Sequence, residues 1–147
     1  MKHPWLAHGR QYCCGQLEST ELPERAHALA EALMFLDHNP ERERADRLAQ
    51  AVAAGLPPDP QFHRDPQDPG YGLTPLHLAP TPEGRWRRLL ADGQSGARLD
   101  CLPATQEADG GWLISWEPPS ESATLEWRGM ETLRALHTLT AFGRLST

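Results

Sequence analysis

The stretch LPATQEADGGWLISWEPPSE, residues 102–121, decides how this chain is built. A helical pattern that begins near Ser95 runs through it to about Glu107, interrupted by Pro103. It stops at Asp109-Gly110-Gly111, where glycine can take the positive-φ backbone that reverses a chain. Pro118-Pro119 closes the connection. Ser120 then suits a helix cap, and Glu121 complements the positive end of the helix that follows. Two helices joined by a short reversal make an antiparallel hairpin. Two tryptophans, Trp112 and Trp116, sit inside the connection, and GWLISWE leaves room for a short β-bridge.

Working outward, the rest of the chain also reads as helical. The spacing predicts a first helix from Pro4 to Leu17, because proline is tolerated in a first helical turn. Its apolar stripe, Trp5, Leu6, Tyr12, Cys13 and Leu17, is ragged. A second helix is expected from Pro23 to Asp37, with Leu22, Leu29, Leu33 and Leu36 on one face and Ala26 and Ala30 filling it. Met34 and Phe35 suggest burial over a wide arc, and Asn39-Pro40 ends the helix. A third, from Glu41 to Ala54, carries the small stripe Ala45, Leu48, Ala49 and Val52, with Gly55 as its stop. A short helix is expected over 85–91. The last helix, from Ser120 to Phe142, places Leu125, Met130, Leu133, Leu136 and Thr140 near one face, and Trp127 and Leu139 widen the arc.

From Leu56 to Gly84 the helical periodicity fails. Prolines recur every few residues, yet Phe62, Tyr71, Leu73, Leu76 and Leu78 supply apolar anchors that a flexible linker lacks. The segment reads as one long, ordered, Pro/Gly-rich loop. The whole is expected to be all-α, a single helical domain over residues 1–147 built from antiparallel hairpins.

Composition narrows the function. A formal net charge of -6 over 147 residues gives no basic footprint for nucleic acid, and Arg85-Trp86-Arg87-Arg88 is too short to supply one. No apolar run is long enough to span a membrane. Three cysteines, with Cys13 and Cys14 adjacent, form neither a CxxC pair nor a zinc spacing. With no apolar run of signal-peptide length at the N-terminus, a reducing cytoplasmic setting is expected. No metal site and no cofactor are expected.

Leu102, Gln106, Gly110 and Trp112 follow the pattern Leu-x3-Gln-x3-Gly-x-Trp, which resembles the QW repeat of the squalene–hopene cyclase and protein prenyltransferase superfamily, the α/α-toroid proteins. DPGYGLTPL (68–76), DGGW…WEPPS (109–120) and LEWRG…TLRAL (125–136) resemble phrases of uncharacterised bacterial proteins with prenyltransferase and squalene-oxidase repeats. The likeness is densest from His63 to Leu145. It implies a partial α/α-toroid, similar to the C-terminal half of a full one, with the QW residues as a structural clasp. In that reading Gln106 satisfies backbone groups at a helix end, Gly110 and Gly111 reverse the chain with φ > 0, and Trp112 folds back over the Gln106 amide. The chain departs from the family in lacking the DxDD acid motif of the cyclases. It also lacks the spaced zinc ligands of the prenyltransferases, since Asp100 and Cys101 are adjacent. No catalytic residue of either branch carries over.

Three functions follow as expectations. The first is binding of an apolar, isoprenoid-like small molecule in a pocket lined by Phe62, Tyr71, Trp86, Trp116 and Trp127, with Glu126 and Arg128 beside Trp127. The second is an interaction module, in which a homodimer or a partner chain completes the ring. The third is an enzyme using His63, Asp65, Asp68 and His77 of the loop for acid–base work. Against the third, Asp-Pro pairs start turns and their carboxylates satisfy loop backbone. Arg64 is a candidate partner for Asp65 or Asp68.

Overall fold

Proline and asparagine chemistry sets the first half of the chain. The computed structural model describes residues 3–19, 25–56, 60–68, 70–90 and 94–145. The chain divides into two compact units, Met1–Phe62 and His63–Thr147. Helix α1 spans Pro4–Glu18, opened by Pro4 and capped by His3, whose ring accepts from the Trp5 N–H. Helix α2 spans Ala26–Asp37 and α3 spans Arg42–Gly55. Leu22 and Pro23, the expected start of the second helix, lie outside the described residues.

The packed pair of α2 and α3 forms the core of this unit. Leu29, Ala30, Leu33 and Leu36 face Ala45, Ala49 and Val52, and all seven are buried. Small side chains on α3 let the two backbones approach closely. At Gly55 a Cβ would lie 3.3 Å from Leu29 Cδ1, so the glycine keeps that approach open. Met34 is exposed and Phe35 half-buried, so the buried arc of α2 is narrower than its apolar residues suggest.

Helix α1 buries Cys14 alone and leaves Trp5, Leu6 and Tyr12 in solvent, as its ragged stripe implied. It is fastened at two points. Arg44 donates from Nε and Nη2 to the two carboxylate oxygens of Glu18, each at 2.8 Å. That bond, with the Arg44 charge, holds the Glu18 carboxyl below its ordinary range. Inside, Asn39 donates to Cys14 Sγ at 3.2 Å while its Oδ1 accepts from the Glu41 N–H at 2.9 Å. One buried side chain thereby joins α1 to the α2–α3 turn.

The second unit is assembled from shorter pieces. The long loop contains one helical turn, α4 (Pro75–Leu78), capped by Thr74 and His77. Helix α5 spans Arg87–Leu90, and the expected end of this short helix at Ala91 lies outside the described residues. Helix α6 spans Gln94–Cys101. The helix expected to reach Glu107 stops there instead and tightens into a 3-10 turn over Leu102–Thr105. Pro103 has no N–H for an α-helical bond, and its ring crowds the preceding turn.

Helix α7 spans Glu121–Ala141, with Ser120 Oγ accepting from the Ala123 N–H. It ends in a Schellman arrangement: Gly143 takes φ 63 and the Arg144 N–H reaches the Leu139 carbonyl at 2.8 Å. Trp112, Ala135 and Leu139 form a buried cluster against which Leu102 packs. The described residues hold helices and no strand, and an isolated bridge between Gln106 and Trp112 is antiparallel. The fold is therefore all-α. Among the described residues no helix is long and apolar enough to cross a membrane.

Replacing Asn39 by alanine is expected to destabilise the protein by about 1–2 kcal/mol, because it strands the Glu41 N–H and removes the bond to Cys14. Urea denaturation followed by circular dichroism measures this. An unchanged midpoint would show that the α1 attachment does not depend on Asn39.

Candidate functional site

The Gln–Trp clasp forms because a helix end leaves carbonyls without partners. The Trp112 indole N–H donates to the Leu102 carbonyl at 2.9 Å, and the Gln106 amide donates to the Gly110 carbonyl at 2.8 Å. The Trp112 backbone N–H donates to Thr132 Oγ1 of α7 at 3.1 Å. Leu102, Gln106, Gly110 and Trp112 thus meet in one small structure. Gly110 takes φ 86, as a reversal requires. Gly111 does not have a positive φ. Its lack of a side chain leaves room for Arg128, since a Cβ there would lie 3.0 Å from Arg128 Nη2 and the guanidinium would have to shift.

Arg128 occupies that space to reach Asp109. Its Nη2 lies 3.0 and 2.9 Å from the two Asp109 carboxylate oxygens. The Gly111 N–H also donates to Asp109, at 3.1 Å. The Gly111 hydrogen bond first and the Arg128 hydrogen bond second hold the Asp109 carboxyl below its ordinary value of 3.8. The sequence pattern had not singled out Asp109 or Thr132. The Asp-Gly-Gly reversal was the available signal for Asp109, since aspartate before glycine bonds the backbone two residues on.

Beside the clasp three aromatic rings meet edge to face. Tyr71 and Trp116 have centroids 5.1 Å apart at 75°, and Trp116 and Trp127 lie 5.3 Å apart at 78°. These are favourable quadrupole geometries. The rings come from three separate segments: the loop, the α6–α7 connection and α7. Trp116 is half-buried between its neighbours, while Tyr71 keeps 42% and Trp127 40% of its surface exposed. The result is a ledge of aromatic surface facing solvent.

Other candidate residues are placed differently. Trp86 is buried beneath the Arg85 guanidinium, whose carbon sits 4.4 Å from its ring centroid. Phe62 is buried and belongs to the first unit. Neither offers a wall to solvent, because both are needed as core. Glu126 is exposed, and Arg128 is engaged by Asp109.

The His63–His77 loop spends its polar groups on its own backbone. Asp65 Oδ1 accepts from the Gln67 N–H and Asp68 Oδ2 from the Asp65 N–H. His77 Nδ1 accepts from the Thr74 N–H at 2.9 Å. Arg98 of α6 donates to the Asp65 carbonyl, and burial lowers its pKa. His63 packs so tightly on Gly72 that a Cβ there would lie 2.6 Å from its Nε2. Among the described residues no three of His, Cys, Asp and Glu converge as metal ligands would.

The chain matches no protein-family model, no curated protein and no solved structure.

A pH prediction follows from Asp109. Its folded-state pKa is lowered, so the fold favours the ionised form. The corresponding stability is complete above the unfolded-state value and is lost as the pH falls below about 4, through the folded-state value. Asp109→Asn is therefore expected to lower the melting temperature near neutral pH, with a deficit that shrinks in acid. Scanning calorimetry of both proteins across that range tests it. A deficit that does not vary with pH would rule out linkage to the Asp109 charge.

Proposed function

We propose that the second unit binds an apolar, isoprenoid-like small molecule on the ledge of Tyr71, Trp116 and Trp127. The protein is on this reading a QW-type partial toroid of the cytoplasm, built of helical hairpins and lacking the acid motif of the cyclases. The observation that carries the proposal is the exposure of the rings. A cluster serving only to pack the hairpin would hide its rings as Trp112 does, at 5% exposed. Tyr71 and Trp127 do not. The free cysteines suit a reducing setting.

Edge-to-face packing holds each ring before a ligand arrives, so little side-chain freedom remains to be lost on binding. The reading invokes no cofactor and no catalytic group. An acid–base enzyme in the 63–77 loop has less behind it, since Asp65, Asp68 and His77 already serve the backbone. The interaction reading draws support from a different face of α7.

Farnesol is a suitable first probe, followed by fatty acids and sterols. Binding is expected to quench tryptophan fluorescence and raise the melting temperature; a ligand at about 100 times its Kd stabilises by roughly 2.7 kcal/mol. Trp127→Ala is expected to weaken affinity by about tenfold, on the scale of one aromatic pairing energy. If no member of the panel moves the melting temperature, the ledge is packing and the proposal fails.

A further inference from the structure

Helix α7 carries a second apolar face that the ledge does not use. Leu125 is 63% exposed and Leu133 70%, and Met130 and Leu136 are exposed with them. Gly129 lies among them, and a Cβ there would meet nothing within 4 Å. At about 100° per residue, Leu125, Gly129, Leu133 and Leu136 fall within one narrow sector. Trp127 lies roughly 200° from Leu125, so ledge and stripe look in different directions. Burial within the unit goes to Ala135, Thr138 and Leu139, a sector that begins beside Trp127.

We infer that this stripe pairs α7 with α7 of a second copy of the chain, antiparallel about a two-fold axis near position 131. Two features favour self-pairing over another occupant. The first is shape. In that register the notch at Gly129 lies opposite the partner's Leu133, so an open space receives an exposed leucine, twice by symmetry. The second is hydrogen-bond complementarity on one flank. Glu126 and His137 are both exposed on the same flank of the stripe. Antiparallel pairing brings Glu126 beside the partner's His137, again twice. Parallel pairing about a two-fold would set Glu126 and His137 on opposite flanks and at different heights, so they could not meet. A contact of about three helical turns is small, so the dimer should be weak, with Kd on the order of micromolar. The stripe is separate from the ledge, so dimerisation does not depend on ligand binding, and each can fail without the other.

Sedimentation equilibrium of the full chain across the micromolar range tests this. The wild type is expected to pass from monomer to dimer with rising concentration. Leu133→Glu should abolish the dimer without altering the helical signal, because the side chain it replaces is exposed. Gly129→Gln is the sharper variant: glutamine is the better helix former, so monomer stability should hold or rise, yet the filled notch should weaken dimerisation at least tenfold. A wild type that stays monomeric to several hundred micromolar would overturn the inference. So would a dimer that survives both substitutions, which would place the interface elsewhere.

Discussion

A single carbonyl, that of Leu102, governs how the second unit is put together. It stands where Pro103 ends the α-helix and the chain tightens into a 3-10 turn. It accepts two hydrogen bonds, from Thr105 Oγ1 at 2.8 Å and from the Trp112 indole at 2.9 Å. Both lone pairs are therefore used. The indole bond places the Trp112 ring, and the ring with Leu102 builds the buried cluster with Ala135 and Leu139. The Trp112 N–H then holds Thr132, which brings α7 into position. Trp116, four residues on, follows from the same reversal.

Helix α7 shows why its own sequence resists a one-face reading. It has apolar residues around most of its circumference, because three surfaces share it. Ala135 and Leu139 face the unit's interior, Trp127 completes the ledge, and Leu125, Leu133 and Leu136 face solvent. A helix with one buried stripe would show a single dominant apolar side. Here three leucines lie on the uncovered face, while the buried one carries Ala135, Thr138 and a single leucine, Leu139. Arg128 and Thr132 spend their polar groups on the clasp between these surfaces.

Local chemistry was legible and long-range chemistry was not. The end of α2 at Asn39-Pro40, the capping of α7 by Ser120 and the stop at Gly143 rest on residues whose backbone preferences act at the site itself. The Leu102–Trp112 pattern was noticed through a resemblance, and the bonds it makes, Trp112 to the Leu102 carbonyl and Gln106 to the Gly110 carbonyl, were not read from it. Trp86 and Phe62 look like wall residues in the sequence because they stand in or beside a proline-rich segment. Their burial depends on how distant segments fold over them, which no local pattern records. The bond between Asp109 and Arg128 spans 19 positions and was hidden likewise. Gly111 was expected to take a positive φ; instead it has none and leaves room beside the Arg128 guanidinium.

The same bond limits what the ledge can recognise. A diphosphate headgroup needs cations free to meet it, and arginine is the usual donor. Arg128, the cation nearest Trp127 in sequence, already shares its charge with Asp109, and Glu126 brings a negative charge to the other side of Trp127. An anionic headgroup would have to displace a carboxylate that the Gly111 N–H also holds. A neutral alcohol or hydrocarbon meets no such competition, and the ring edges and faces of Tyr71, Trp116 and Trp127 offer it apolar contact directly. If the ledge takes isoprenoids, its electrostatics favour the neutral forms over the diphosphates on which prenyl-transfer chemistry depends.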